Sequence, residues 1–360
     1  MSSNILITGA AGYIGGSLVA DFLARNSPLI KKDQIHAAVR SDEQAEALSK
    51  LGIHVLQLDL TNEDAVVESV LRHNISIVVH TASSLDVSLA LPLVTALGRQ
   101  REVSGADTFF IHTSGLSAFY ERTGWPSGRM SDAGPVFETE RQFADSYPLR
   151  KTDVTVIEHA KEKGVTSFIV VPSTVYGKGS GAWNQLSVVL PIYVQGCISN
   201  KSVYKFPQNM TVSGVHISDM TALYTTIIEK VIQKETPPSG TEGYYFALAH
   251  DISWWELLDH LAKALHARGL VTESKTQVWP SDEAAAEALG IPVQYVQILW
   301  NSGDNLTTKN TYKLGWKPQW NKERFLQHLD DEIEAVQELG MAKSSLIASL
   351  FQSAKGPNAS

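Results

Sequence analysis

The stretch that most limits what this chain can become is its first turn. Asn4-Ile5-Leu6-Ile7 is an apolar run of the kind that forms a short buried strand, and Thr8-Gly9-Ala10-Ala11-Gly12-Tyr13-Ile14-Gly15 follows it directly. Three glycines at the spacing G-x-x-G-x-x-G then lead into residues 17–23, whose apolar side chains recur at helical spacing. Between a strand and a helix each glycine has its own task. Gly9 permits the sharp turn, Gly12 lets backbone approach a pyrophosphate, and Gly15 lets helix and strand pack closely. The helix start offers free N–H groups and the positive end of its dipole to an anion. A glycine triplet alone is a weak signal. Its flanks turn this one into an expected dinucleotide cradle.

The chain beyond the turn alternates two periodicities. Residues 35–39, 53–58, 75–80, 108–112 and 166–171 read as strands. Residues 41–51, 62–73 (capped by Thr61), 87–101 and 147–163 read as helices between them. This order predicts an α/β fold, a Rossmann-type doubly wound parallel sheet over residues 1–176. Residues 115–146, rich in Gly, Pro and Ser, read as one long polar loop. The run Gly177-Lys178-Gly179-Ser180-Gly181 reads as a flexible joint. Residues 177–211 and 236–322 are expected to form a smaller α/β substrate lobe. It would hold a helix over 184–195, a strand over 243–248 and a helix over 254–267 capped by Ser253. Residues 212–235 return to the first domain, as a strand over 215–219 feeding a helix over 220–233. A helix over 323–339 and a frayed tail, 353–360, complete the expected 323–360 segment.

Composition excludes several function classes. A net charge of −8 without a basic cluster argues against nucleic acid or an anionic membrane surface as partner. The apolar runs are too short to span a bilayer. Met1 leads almost directly into the first strand, which leaves no room for a signal peptide, and Cys197 is the single cysteine. The expected location is therefore cytoplasmic. The 11 histidines form no H-x-x-x-H or H-E-x-x-H pattern, so no metal is expected. His80, His112 and His216 read as structural, and Cys197 as an inert core thiol.

Tyr147-Pro148-Leu149-Arg150-Lys151 places a phenol and an ammonium four residues apart. On a helix the two share a face, and a nearby ammonium favours phenolate, which suits a general acid/base for moving a proton to or from a carbinol oxygen. Pro148 pushes Tyr147 away from helical angles, so Tyr147 reads also as a cap rather than a helix member. Ser114, just past the fifth strand, could donate to a substrate carbonyl oxygen. Arg40 ends the second strand where an acid would bind a ribose 2′-OH. An arginine there suits a 2′-phosphate, so NADP(H) is expected over NAD(H).

These segments together resemble the extended short-chain dehydrogenases/reductases, the NAD(P)-dependent epimerase/dehydratase-like superfamily. The resemblance runs to about Trp320. It is carried by the first turn, Leu58-Asp59-Leu60-Thr61, Val79-His80-Thr81-Ala82-Ser83, His112-Thr113-Ser114-Gly115 and Tyr147 with Lys151. It continues through Val171-Pro172-Ser173-Thr174-Val175-Tyr176-Gly177, Val215-His216-Ile217-Ser218-Asp219 and Leu314-Gly315-Trp316-Lys317-Pro318. It implies that Tyr147 donates the proton in reduction, that Lys151 binds the nicotinamide ribose and lowers the Tyr147 pKa, and that Ser114 orients the carbonyl. It further implies a cofactor site of Gly9, Ala11, Gly12, Tyr13, Ile14, Gly15 and Arg40. Asp59 and Leu60 would lie at the adenine, Thr81, Ala82 and Ser83 along the cofactor, and Pro172 and Val175 at the nicotinamide end.

Sugar-nucleotide members carry an arginine at the position that resembles Val212 here, so a diphosphate would lack its partner. Phe119, Tyr120, Trp125, Trp183 and Leu186 are expected to line an apolar or aromatic pocket. The resemblance is nearest to fungal carbonyl reductases of the dihydroflavonol-reductase type. The expected activity is NADPH-dependent reduction of a small-molecule ketone or aldehyde, the chain acting alone or as a homodimer. An epimerase or dehydratase working through transient oxidation, and a non-catalytic NADP(H)-sensing protein, are the alternatives.

Overall fold

The computed structural model describes residues 3–25, 27–344, 347, 348 and 351. Its centre is a seven-stranded parallel sheet. From edge to edge the strands are Tyr244–Ala247, Thr166–Pro172, Phe109–Thr113, Ile75–His80, Asn4–Thr8, Ile35–Val39 and His54–Gln57. The sheet is apolar on both faces because helices cover both. Alternate residues of one strand enter opposite cores: Ile5 and Ile7 pack with Leu18, Val19 and Phe22 of the first helix, whereas Leu6 packs with Val66, Val70, Leu93 and Leu97 on the other side.

Strand order reverses at Asn4–Thr8, which pairs with Ile35–Val39 on one side and Ile75–His80 on the other. The crevice beyond the carboxyl ends of strands at such a point is where α/β sheets bind ligands. The glycine turn leaves Asn4–Thr8 at that point, and Thr81 leaves the neighbouring strand beside it.

A smaller sheet joins Thr174–Tyr176 in parallel to Thr211–His216, and Thr211–His216 antiparallel to His250–Ser253. Its middle strand feeds the helix Ile217–Ile232, which packs on the first helix, Tyr13–Arg25. The segment expected to return to the first domain thus begins at Thr211.

Four expected elements differ in detail. The stretch 115–146 is not one loop. It holds the helix Val136–Gln142 and the short strand Met130–Ser131, which pairs with Leu306–Thr307. That helix escapes a periodicity reading because one of its inward residues is Glu140, whose Oε2 accepts from the Tyr244 hydroxyl at 2.6 Å. The helix expected over 184–195 instead spans Val189–Asn200. The Asn184 side chain accepts from Leu186 N at 3.3 Å and Lys343 N at 3.1 Å, a local alternative to helix formation. Asn62, not Thr61, caps Glu63–Arg72, since its Oδ1 accepts from Ala65 N at 3.1 Å. The last helix is two, Lys322–Gln327 and Leu329–Leu339, broken at His328. Residues 353–360 lie outside the described residues.

Candidate active site

The glycine turn is built by contacts that exclude side chains. Gly9 has φ +66°, a left-handed value that favours glycine. A Cβ on Gly15 would stand 2.4 Å from Gly9 O and 2.4 Å from Thr81 Oγ1, and one on Gly12 would stand 3.0 Å from Gly9 O. Thr81 ties the two central strands together, its Oγ1 donating to Thr8 O at 2.7 Å. The start of the first helix therefore lies tight against the strand ends, with backbone rather than side chains facing the crevice. That surface fits a dinucleotide pyrophosphate.

Tyr13 is part of the scaffold. Its hydroxyl donates to Gly177 O at 2.7 Å, and burial raises its pKa well above the usual phenol value. Gly177 N in turn donates to the Glu332 carboxyl, which burial pushes up to about 7. Gly181 packs on Gly16 so closely that a Cβ on Gly181 would meet Gly16 Cα at 2.9 Å. The glycine-rich joint is thus a packed strap over the first helix.

Arg40 is exposed one residue past Ile35–Val39. Asp59 is exposed past His54–Gln57, its Oδ1 accepting from Thr61 N at 2.9 Å and Thr61 Oγ1 at 2.7 Å, and these bonds lower its pKa. Leu60 is buried in the core. Ser83 Oγ accepts from Leu85 N at 3.2 Å and Asp86 N at 3.1 Å, and so holds its own turn. Pro172 ends its strand in the interior, and Val175 is half-buried two residues into the smaller sheet. Arg40, Asp59 and Ser83 thus follow the carboxyl ends of parallel strands, and Pro172 ends one.

Among the described residues no side-chain hydrogen bond joins Ser114, Tyr147 and Lys151, the three expected chemical residues, to one another. Tyr147 is the N-cap of the helix Pro148–Lys163, with φ −153° and ψ 129°. Pro148 at the first helical position enforces this extended backbone. Lys151 N closes the first helical turn onto Tyr147 O at 3.3 Å. Lys151 lies on the outer stripe with Thr155, Glu158 and Glu162; its side chain is 64% exposed and pairs with Asp145 at 3.0 Å.

Ser114 is turned away as well. Extended chain gives Phe110, His112 and Ser114 one face and Thr113 the other. Thr113 meets the Tyr224 hydroxyl at 2.6 Å, while Ser114 donates inward to Asp153 Oδ2, with His112 Nε2 3.3 Å from Asp153 Oδ1. His80 is fully buried beside this cluster, its ring 5.5 Å from that of His112. Burial lowers its pKa to about 3, so it is neutral.

What meets Tyr147 is Ser117. The Tyr147 hydroxyl donates to Ser117 Oγ at 3.1 Å. Burial raises the Tyr147 pKa, against lowering by the Ser117 bond and by the Arg150 charge, so the phenol is protonated at neutral pH. Ser117 sits in the short turn Leu116–Phe119, where no strand or helix period marks it.

The aromatic residues divide. Phe119 and Trp125, rings 4.9 Å apart, line one wall of a cleft of about 400 Å³ with Met210, Thr211, Gly303, Asp304 and Leu306. Tyr120, Trp183 and Leu186 are not part of its lining. Tyr120 and Leu186 are core, and Trp183 packs on the glycine-turn side beneath the Lys343 ammonium, 4.4 Å from its ring centroid. Glu121 and Arg122 stand at the cleft's rim. Val212 is buried and presents no charge. Cys197 is buried too, and burial raises its thiol pKa. No cluster of three or more metal-ligating side chains occurs among the described residues, nor any helix long and apolar enough to cross a membrane.

Comparison with known proteins agrees with this geometry. One family model matches residues 5–238, nearly two thirds of the chain. The chain belongs to the NAD dependent epimerase/dehydratase family. A UDP-glucose 4-epimerase of Vibrio cholerae is 24% identical over 74% of this chain and 76% of its own length. A dTDP-4-dehydro-6-deoxy-D-allose reductase of a Streptomyces species is 24% identical over 66% of this chain and 76% of its own. Among solved structures, a dTDP-glucose 4,6-dehydratase of Streptomyces venezuelae with NAD bound superposes with a TM-score of 0.63 at 14% identity. It covers 93% of this chain and 97% of its own. Family membership thus makes the chain an NAD(P)-dependent enzyme of the epimerase/dehydratase family, which uses a nicotinamide dinucleotide.

Proposed function

We propose that the chain is an NADPH-dependent reductase of a ketone or aldehyde carbonyl on an apolar or aromatic small molecule. The observation that carries this reading is the Tyr147 hydroxyl held by Ser117 at 3.1 Å, beside the carboxyl edge of the sheet. Two hydroxyls at one corner can share a carbonyl oxygen, and the phenol is protonated where a reductase needs a donor. NADPH, held at the glycine turn and Arg40, would supply the hydride for the carbonyl carbon, with NADP⁺ as its oxidised form. Tyr147 gives its proton to the oxygen, so C=O becomes CH–OH, and the phenolate regains a proton from water. Arg40 supports the 2′-phosphate form of the cofactor, because its exposed guanidinium stands where an acid would repel that group.

The cleft supports an uncharged substrate. Phe119, Trp125, Met210 and Leu306 supply its apolar walls, and its charged lining is two carboxylates, Glu121 and Asp304, and one guanidinium, Arg122. That balance, with Val212 buried, disfavours a diphosphate dianion. The sugar-nucleotide relatives favour a second reading, epimerisation or dehydration through transient oxidation. NADPH oxidation against aromatic and aliphatic ketones and aldehydes, alongside UDP- and dTDP-sugars, separates the two. The reductase consumes NADPH in proportion to product, and Tyr147→Phe keeps NADPH binding while losing ~10²-fold or more of turnover. Sugar epimerisation without net NADPH use overturns the proposal. NADPH binding with no turnover on any carbonyl would mark a sensor.

A further inference from the structure

Gly177 is held from three sides. Its N–H donates to the Glu332 carboxyl, its carbonyl accepts from the Tyr13 hydroxyl at 2.7 Å, and a Cβ on it would stand 2.3 Å from His216 Nε2. Its φ of +96° is a value that favours glycine. The two side chains that grip it come from opposite ends of the chain. Tyr13 opens the first helix directly after Gly12, where the glycine turn faces the crevice, and Glu332 is buried on the inner side of Leu329–Leu339. The strap beyond Gly177 keeps to the same helix. Ser180 N donates to Ser17 Oγ at 3.3 Å, and Gly181 packs on Gly16. The start of the helix that completes the cradle is therefore covered by a segment anchored on a buried carboxyl.

We propose that Glu332 is a positioning residue for the dinucleotide: through Gly177 and Tyr13 it fixes the start of the first helix in the form that accepts the pyrophosphate, and it holds a proton whose loss weakens nucleotide binding. This rests on the family's use of a nicotinamide dinucleotide and not on the carbonyl reading. Burial pushes the Glu332 carboxyl up to about 7, and Asp331, of like sign, pushes it the same way. The other groups that face it are the phenols of Tyr13 and Tyr176, both kept neutral by burial. His216, against Gly177, is also neutral, because burial lowers its pKa to about 4. Lys178 on the strap is engaged elsewhere, with Glu338 at 2.6 Å, and Arg324 acts on Tyr176. Ionised, Glu332 is a buried anion behind a cradle that has to accept a second anion. Its protonation and nucleotide binding therefore favour each other. Affinity is full while the carboxyl is neutral and falls as pH rises through 7.

The test is nucleotide binding by the full chain, independent of any turnover, followed by tryptophan fluorescence with NADPH and with NADH between pH 6 and 9. Wild type should match Glu332→Gln at pH 6 and bind about five- to tenfold more weakly than it at pH 9, the size of a one-unit pKa shift on binding. Glu338→Gln, which cuts only the surface tie to Lys178, should keep the wild-type profile. Tyr13→Phe, which releases Gly177 O, should weaken binding at pH 6 about fivefold, the worth of one hydrogen bond. Combined with Glu332→Ala it should bind no more weakly than the worse of the two single variants, because both act through Gly177. If Glu332→Ala does not fold, the near-isosteric Glu332→Gln still decides through the pH profile. Equal pH profiles for wild type and Glu332→Gln, or additive losses in the pair, overturn the proposal. Wild type that binds neither nucleotide overturns it too. A chain that shows this binding profile but turns over no carbonyl sinks the reductase reading and leaves the role of Glu332 standing.

Discussion

The glycine turn and the Tyr147 corner stand at the same edge of the same sheet, yet they are made in opposite ways. The turn is one contiguous segment, and its shape follows from where side chains are forbidden. The corner is assembled from Ser117, Tyr147 and Arg150, which come from a short turn, a helix cap and a helix interior. A site made by exclusion tolerates no added atom. A site made by convergence fails when one of its anchors is released.

Four changes probe that difference. Gly15→Ala should be the most damaging, because its methyl meets backbone at 2.4 Å. A weakening of NADPH binding by ~10²-fold, about 3 kcal/mol at the upper end for overpacking, is expected in fluorescence titration. Glu332→Gln probes the strap from Tyr13 through Gly177. The carboxyl pKa is raised to about 7 in the folded chain, so its stabilising share is full below the unfolded value near 4.5 and is lost as pH rises through 7. The Gln variant should match wild type at pH 4 to 5 and exceed it at pH 8, by on the order of 2 kcal/mol in urea unfolding. Equal stability at both pH values would remove Glu332 as the cause.

The two serines should then separate. Ser114→Ala strips a donor from buried Asp153 and should cost about 1–2 kcal/mol of stability with kcat kept. Ser117→Ala should do the reverse, leaving the melting temperature near wild type while kcat/KM falls about fivefold, the worth of one hydrogen bond of ~1 kcal/mol. If Ser114→Ala were the variant that lost turnover, the corner would have been drawn around the wrong hydroxyl.

Outside residues 115–146, the alternation of strands and helices through residue 172 was legible in the sequence because those helices carry their own period and each parallel strand of the main sheet is a short apolar run. Of the two caps read from the sequence, Ser253 accepts from Glu256 N as its spacing dictates, whereas the cap expected at Thr61 is its neighbour Asn62. Legibility failed wherever an inward residue was polar, as with Glu140 in Val136–Gln142, or where a side chain satisfied backbone in place of a helix, as with Asn184.

The sequence by itself determined the dinucleotide turn, the doubly wound sheet and Tyr147 as a residue of interest, since all three follow from spacing along a few consecutive residues. Tertiary structure alone brought Ser117 and Arg150 against that tyrosine. Ser114 and Lys151 satisfy the one-dimensional rule, but strand parity turns Ser114 to Asp153, and the extended backbone before Pro148 leaves Lys151 on the solvent side. The orientation of a side chain depends on what its backbone packs against. For Ser117 and Arg150 that partner is a segment some thirty residues away, so no local pattern could have announced them.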